Sequence, residues 1–246
     1  MPRFYLILLA ILLSATTTAA QPTFRLGVRG GLNRATSTVE PSRTSSSSAY
    51  YYLANKSPLY TWQGGAVLEV AFRRFSLQPA LLFSQKGEQL EAVTSMIGFA
   101  GVSSTEVSSV NRFNWLELPV NAVYTLHCFQ VFAGPYVALG MGGRERGTLR
   151  QASPAAKFGP YKFDRKNNYG SDTYNHRLDA GINLGVGYRR GPLQLQLGYG
   201  IGLRDLHQQP VFNELVFGDP QRGHDFNNDR AYNRVAQLTA AYFFDL

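Results

Sequence analysis

Length and composition already argue against several classes of protein. The chain has 246 residues, of which only 16% are charged, against about 25% in an ordinary soluble domain. Glycine (24 residues) and aromatic side chains (13%) are plentiful, and there is a single cysteine, Cys128, so a disordered chain, a disulfide scaffold and a thiolate zinc site are all disfavoured. A mean hydropathy of −0.17 argues against a helical membrane protein. It leaves a transmembrane barrel open, because barrel strands alternate apolar and polar residues and average near neutral.

The N-terminus has the layout of a secretory signal peptide. Arg3 precedes an apolar run from Phe4 to Leu13, and a stretch of small residues follows up to Ala20. The alternative, a transmembrane anchor, is disfavoured because a spanning helix needs about 20 apolar residues. The sequence therefore predicts a signal peptide over 1–20 and a mature domain over 21–246.

Eight segments of the mature chain alternate in steps of two, which is typical of strands with two different faces. Their apolar residues run over 24–32, 62–72, 75–83, 116–126, 129–141, 178–188, 193–203 and 236–246, and none of these apolar positions is charged. The opposite face carries amides, glycines and the charged residues Arg25, Arg29, Glu69, Arg73, Lys86, Glu117, Arg177, Asp179 and Arg204.

The connections also alternate, between short and long. Tight turns are predicted at Arg73-Arg74, His127-Cys128 and Arg189–Gly191. Long polar loops are predicted over 36–59, 88–111, 144–174 and 206–231. An outer-membrane barrel has short periplasmic turns and long extracellular loops. With eight strands, both termini fall on the short-turn side and the four loops on the other.

Periodicity alone does not decide which face points inward, so a soluble lipocalin-like barrel is the competing fold. The polar face is rich in glycine, for example Gly134, Gly181 and Gly185, where a solvated surface would be dense in Lys and Glu. Aromatic residues gather on the apolar face beside the short turns, as in the girdle at a membrane interface. These features favour an all-β, eight-stranded antiparallel up-and-down transmembrane β-barrel.

Several segments resemble one family. Gly27–Asn33, Gln78–Gly87, Leu116–Val120 with Tyr124, Gly134–Tyr136 and the closing Ala241–Phe244 are similar to the PorT-like outer-membrane β-barrel family of Gram-negative bacteria. Ala80 and the terminal Asp245-Leu246 depart from the family pattern. The resemblance implies an eight-stranded outer-membrane barrel; the family takes its name from a component linked to type IX secretion, and many similar barrels have no assigned role.

Candidate chemistry is sparse. His176, His207 and His224 lie in or near the predicted loops with Ser171 and Asp172, but no spacing motif supports a catalytic triad like that of a lipid-modifying enzyme. Asp225–Asp229 begins like a calcium loop, yet Arg230 replaces the turn glycine and Ala236 the bidentate Glu. We therefore expect neither enzyme activity, nor a metal, nor a cofactor.

The net charge of +8 is concentrated in 144–174. One interpretation of this basic segment is contact with anionic lipopolysaccharide of the outer leaflet or with an acidic partner; the other is a solvated loop without a partner. Nucleic acid is not an expected partner of a secreted barrel.

The sequence thus predicts an integral outer-membrane barrel with a structural, interaction or secretion-accessory role, whose partners include envelope or secretion proteins. The alternatives are an extracellular binding or adhesion barrel, a small diffusion channel and a lipid-modifying enzyme. Three structural predictions follow from the pattern. Strand 24–34 pairs with 233–245, the nine charged residues of the polar face form a paired network in a filled lumen, and Pro79, Pro119 and Pro135 cause bulges or missing cross-strand bonds.

Overall fold

A computed structural model describes residues 22–38, 42–47, 50–99, 101–154, 157–167, 176–206 and 231–245. The predicted signal peptide lies outside these residues. The strands are β1 (Thr23–Ser37), β2 (Ser42–Ser47), β3 (Tyr50–Phe72), β4 (Phe75–Gly98), β5 (Gly101–Leu126), β6 (Phe129–Ala152), β7 (Lys157–Asn167), β8 (Leu178–Arg190), β9 (Leu193–Gly202) and β10 (Asn233–Asp245).

Eight of these strands form a closed antiparallel ring. Its order is β1-β3-β4-β5-β6-β8-β9-β10, and β10 returns to β1 with partners running from Arg25↔Asp245 to Ser37↔Asn233. The predicted closure and the predicted fold class are confirmed. A closed ring gives every strand a neighbour on both sides and leaves no strand edge, which is the condition for strands to cross hydrocarbon.

The ring has its apolar face outside and its polar face inside, which is the reverse of a soluble protein. Outward apolar side chains are about half exposed, such as Leu32 at 61% and Leu118 at 46%, while inward polar ones are sealed, such as Gln78 at 0% and Glu69 at 1%. An apolar outer wall around a polar interior is stable only if lipid rather than water surrounds it. The soluble alternative, which buries the apolar face, is therefore wrong.

The prediction that 36–59, 88–111 and 144–174 are irregular loops is wrong for most of their described residues. β4 and β5 run on as a paired hairpin to Gly98↔Gly101, and β6 continues to Ala152 and pairs with β7. These extensions lack apolar alternation because, beyond the lipid, both of their faces meet water, so periodicity could not reveal them. Most of the fourth loop, 207–230, lies outside the described residues.

The extensions form a second sheet that projects from one end of the barrel. β3 leaves the ring beyond Leu59, its last partner of β1, and β6 leaves it beyond Leu139, its last partner of β8. We call the described residues within 42–58, 88–111 and 144–167 the arm. Register shifts at Pro58/Gln63 and Asn114/Trp115 mark its base, as bulges commonly do at a barrel rim.

Each of the three strand prolines faces a gap in one ladder of the described ring. Pro79 falls between the pairs Val67↔Ala80 and Val70↔Leu77 of β3–β4. Pro119 falls in a similar gap of β4–β5, and Pro135 in one of β5–β6. The register is the same on both sides of each gap, so the expected disturbance takes the form of missing pairs rather than bulges.

Candidate functional site

The interior of the barrel is filled by polar side chains that the alternation of the strands turns inward. Buried among them are Arg29, Asn33, Gln63, Glu69, Gln78, Lys86, Glu117, Asn121, Gln130, Asp179, Asn183, Gln194, Gln196 and Thr239. Buried charges require partners. The way in which the ionised groups pair therefore decides whether the interior is closed by side chains or forms a channel.

One group of charges, the Glu69 cluster, lies toward the short-turn end. Arg189 Nη1 donates to both carboxylate oxygens of Glu69 at 2.5 and 2.7 Å, Arg25 Nη1 donates to it at 3.2 Å, and Gln78 Nε2 donates to it at 3.1 Å. Arg25 Nε also donates to Asp245 at 2.8 Å. Arg189 is on β8 and Glu69 on β3, so this ion pair ties opposite walls of the ring together.

A second group, the Lys86 cluster, lies toward the arm. Lys86 Nζ is 2.9 Å from Glu117 Oε2 and 3.6 Å from Asp179 Oδ2, and all three side chains are at most 2% exposed. Tyr136 donates its hydroxyl to Asp179 at 3.2 Å, and Asn233 Nδ2 donates to it at 2.7 Å. The ammonium also lies 4.7 Å from the centre of the Tyr136 ring.

Between the two clusters, the side chains of the described residues fill the interior around Arg29. Arg29 Nη2 donates to Gln78 Oε1 at 3.0 Å. A cavity of about 10 Å³ lies beside Arg29, Gln63, Asn121 and Gln196, which is at the lower limit for one water molecule. Around Arg29, the described part of the barrel is therefore packed with side chains and leaves room for about one water molecule.

The structure brings together six of the nine predicted lumen charges and places three elsewhere. Arg25, Arg29 and Glu69 meet near the short-turn end, and Lys86, Glu117 and Asp179 meet nearer the arm.

The assignment of Arg73, Arg177 and Arg204 to the lumen needs correction. All three are exposed: Arg73 lies in the turn after β3 with φ of 50°, Arg177 in a bend before β8 and Arg204 just after β9. Side-chain alternation stops where a strand stops, so the period cannot be carried across these positions.

Sequence reasoning missed Arg189, which forms the strongest contact of the Glu69 cluster. The pattern predicts a tight turn at this residue, whereas β8 extends to Arg190. Counting in steps of two from Asp179 through Gly185 reaches Arg189 on the inward face, so the signal was present in the same strand.

The described residues provide no support for the hypotheses of a catalytic triad or of a metal site. Ser171, Asp172, His207, His224 and the calcium-like segment 225–229 lie outside them, and His176 is half-buried before β8. In the described part of the chain, no three His, Cys, Asp or Glu residues are grouped to hold a metal ion. The same residues include no helix long and apolar enough to cross a membrane.

The arm carries a shallow groove of about 390 Å³ on the face continuous with the outer wall of the barrel. Its lining includes Glu91, Val93, Glu106, Ser108, Thr148 and Arg150. Both charge signs are present, so the groove differs in character from the apolar wall below it.

Comparison with known proteins gives one family and distant structural similarities. Residues 19–208 match the family described as outer membrane protein beta-barrel domain. No curated protein is similar enough in sequence to match the chain.

Among solved structures, the chain is similar to Neisserial surface protein A at 8% identity, with 90% of this chain and 97% of that chain covered and a TM-score of 0.33. It is also similar to Ail, the attachment invasion locus protein of Yersinia pestis, in complex with the heparin analogue sucrose octasulfate, at 8% identity, 92% and 100% coverage and a TM-score of 0.38. The transport unit of the autotransporter AIDA-I from Escherichia coli matches at 8% identity, with 90% of each chain covered and a TM-score of 0.18.

Proposed function

Because this chain belongs to the outer membrane protein beta-barrel domain family, we propose that it is a non-enzymatic outer-membrane binding barrel that holds its arm outside the cell for a macromolecular partner. One observation carries the proposal. β4, β5 and β6 have 24, 26 and 24 residues, whereas a membrane crossing takes about 9–11. The roughly 14 residues in excess extend about 45 Å along the strand.

The orientation follows from the rule that long connections of such barrels are extracellular. The short turns after β3, β5 and β8 and both ends of the ring, at β1 and β10, lie opposite the arm. This arrangement supports periplasmic termini and an extracellular arm. A secretory signal peptide over 1–20, as the sequence predicts, is the matching export signal.

The filled lumen supports a role on the arm rather than in a pore. Opening a path would have to break the Arg189–Glu69 contact at 2.5 Å and the Lys86–Glu117 contact at 2.9 Å. Separating a buried ion pair costs several kcal/mol. The groove on the arm, by contrast, is open to solvent and needs no such rearrangement.

A photo-crosslinking amino acid placed along the arm tests the proposal in living cells. We expect discrete adducts from positions Glu91, Ser108 and Arg150, which line the groove, and only lipid adducts from Leu118, which faces outward from the ring. Each variant must retain the heat-modifiable mobility of a folded barrel. The absence of a discrete adduct from all three groove positions would contradict a binding role for the arm.

A secretion-accessory version of this role is supported by the PorT-like segments Gln78–Gly87 and Leu116–Val120. In that version the partner is an envelope or secretion protein. Secretion genes beside the coding gene would favour it, and nutrient-uptake genes would oppose it.

A further inference from the structure

Three cations form a row across the base of the arm. Arg112 on β5 is the register partner of Arg144 on β6, and Arg144 is the register partner of Lys166 on β7. Register partners on antiparallel strands place their side chains on one face about 5 Å apart. All three side chains are exposed, so they present a line of positive charge to the surroundings.

This row lies on the lipid-facing side of the molecule. Trp115 is buried and Leu116 faces outward, so the alternation also directs Arg112 outward. Arg112 is four residues beyond Leu116 along β5, or about 13 Å of strand and about 10 Å along the membrane normal at a tilt near 40°. The polar headgroup layer begins where the apolar wall ends, and long arginine and lysine side chains can reach back toward it.

The protein neutralises this row only in part, through one carboxylate that Arg144 shares with Arg146. Asp164 accepts from Arg144 Nε at 2.5 Å and from Arg146 Nε at 3.1 Å. The hydrogen bond from Arg144 holds the pKa of Asp164 below its usual range, so the carboxylate is ionised at neutral pH. Within the described residues, Arg112 and Lys166 have no carboxylate partner.

Like charges directly opposite one another destabilise a sheet. The neighbouring rows do not share this feature, since Arg146 faces Asp164 and Arg150 faces Glu106. Among these described rows of β5, β6 and β7, the excess of positive charge therefore falls in the row Arg112–Arg144–Lys166.

We propose that the row Arg112–Arg144–Lys166 binds the phosphate groups of anionic glycolipids in the outer leaflet. A guanidinium group can donate two parallel hydrogen bonds to two oxygens of one phosphate, and the lysine ammonium adds a further positive charge. A lipid fits better than a free anion because exposed apolar side chains, Leu116, Leu139 and Met141, lie directly below for its acyl chains. The inference rests on the extracellular placement of the arm in the proposed function.

The test uses the full-length protein, folded in a zwitterionic detergent, and lipid A as the probe. Lipid A with two phosphates is titrated against the same lipid after phosphatase treatment, and bound lipid is counted by native mass spectrometry. We expect at least tenfold tighter binding of the phosphorylated lipid, reduced to within about twofold in R112Q/K166Q. The matched control K162Q/R165Q removes the same charge from β7 outside the row and is expected to keep the preference.

Amide exchange on the unmodified protein provides a readout that needs no variant. Phosphorylated lipid A is expected to slow exchange around Arg112 and Arg144, because it relieves the repulsion within the row. Equal loss of binding in K162Q/R165Q, no preference for the phosphorylated lipid, or equal protection by inorganic phosphate at the same phosphate concentration would each overturn the inference. The groove adducts of the crosslinking test are independent of these results, so the two proposals can fail separately.

Discussion

At the scale of single residues, Lys86 provides the positive charge of the buried Lys86 cluster. Among the described residues it pairs with both Glu117 and Asp179, at 2.9 and 3.6 Å, and it is 2% exposed. The hydroxyl of Tyr136 and the amide of Asn233 also donate hydrogen bonds to Asp179 Oδ2, but neither supplies charge. Removing the lysine would leave two carboxylates buried beside each other.

We predict that Lys86→Met lowers the free energy of unfolding by about 3–5 kcal/mol, the cost of leaving a buried charge without its partner. The triple variant K86M/E117Q/D179N removes the orphaned charges as well and is expected to recover most of this loss. Denaturant unfolding of protein folded into lipid vesicles measures both. If K86M is as stable as the exposed control Lys162→Met, the cluster has no structural role.

Glycine on the inward face serves backbone approach as well as lumen space. A Cβ at Gly134 would lie 2.0 Å from the carbonyl oxygen of Val120 on the next strand, whereas a Cβ at Gly30 would find its nearest neighbour, Gln63 O, at 3.9 Å. Elsewhere the freed space is used by side chains, as at Gly198, where the nearest atom to an added Cβ would be in the Phe132 ring, at 3.0 Å.

These distances separate two substitutions of the same kind. Gly134→Ala is expected to lower stability by about 1–3 kcal/mol, because two strands must move apart to admit the methyl group. Gly30→Ala on the outer wall is expected to change it by less than about 0.5 kcal/mol. Comparing the denaturant midpoints of the two variants decides the matter, and equal midpoints would refute the steric account.

At the scale of strands, the prolines line up as gaps in successive ladders. Pro79, Pro119 and Pro135 each interrupt one of the ladders between β3 and β6. Such gaps either help the sheet to curve during closure or form a seam that opens. We favour curvature, because local irregularities of strand pairing serve closure far more often than function.

Hydrogen exchange distinguishes the two interpretations. If the gaps serve closure, the barrel parts of these strands, 75–87, 115–126 and 129–141, are expected to exchange no faster than β8, β9 and β10 in lipid. Faster exchange confined to those three strands would instead indicate lateral opening.

At the scale of the whole molecule, a closed ring with a packed interior joins a sheet that leaves it at Leu59 and Leu139. An eight-stranded ring is only wide enough for side chains to fill. The ring is therefore suited to anchoring, and the arm to contact with other molecules.

We accordingly expect the purified protein to give no stable single-channel conductance in planar bilayers. The Glu69 and Lys86 clusters would both have to separate to admit ions. A heat-denatured sample controls for contaminating porins. Large, reproducible conductance steps from the folded protein would overturn the plugged-lumen account and favour the channel.

The sequence by itself determined the eight-stranded ring, its closing pair and which face meets lipid. Successive side chains of a strand face hydrocarbon and the interior in turn, so apolar and polar residues alternate in the sequence. This alternation continues along the whole membrane-spanning part of each strand. Six of the nine lumen charges followed from the same rule.

Only the tertiary structure decided the arm and the partners of the charges. Beyond the lipid, both faces of a strand meet water, so Ser103 to Ser109 show no periodic signal although they belong to a paired hairpin. Arg189 and Glu69 are 120 residues apart in the chain, and their contact depends on ring diameter and stagger, which no local pattern contains. The row Arg112–Arg144–Lys166 likewise exists only through register, because a slip of one residue would turn each side chain to the opposite face.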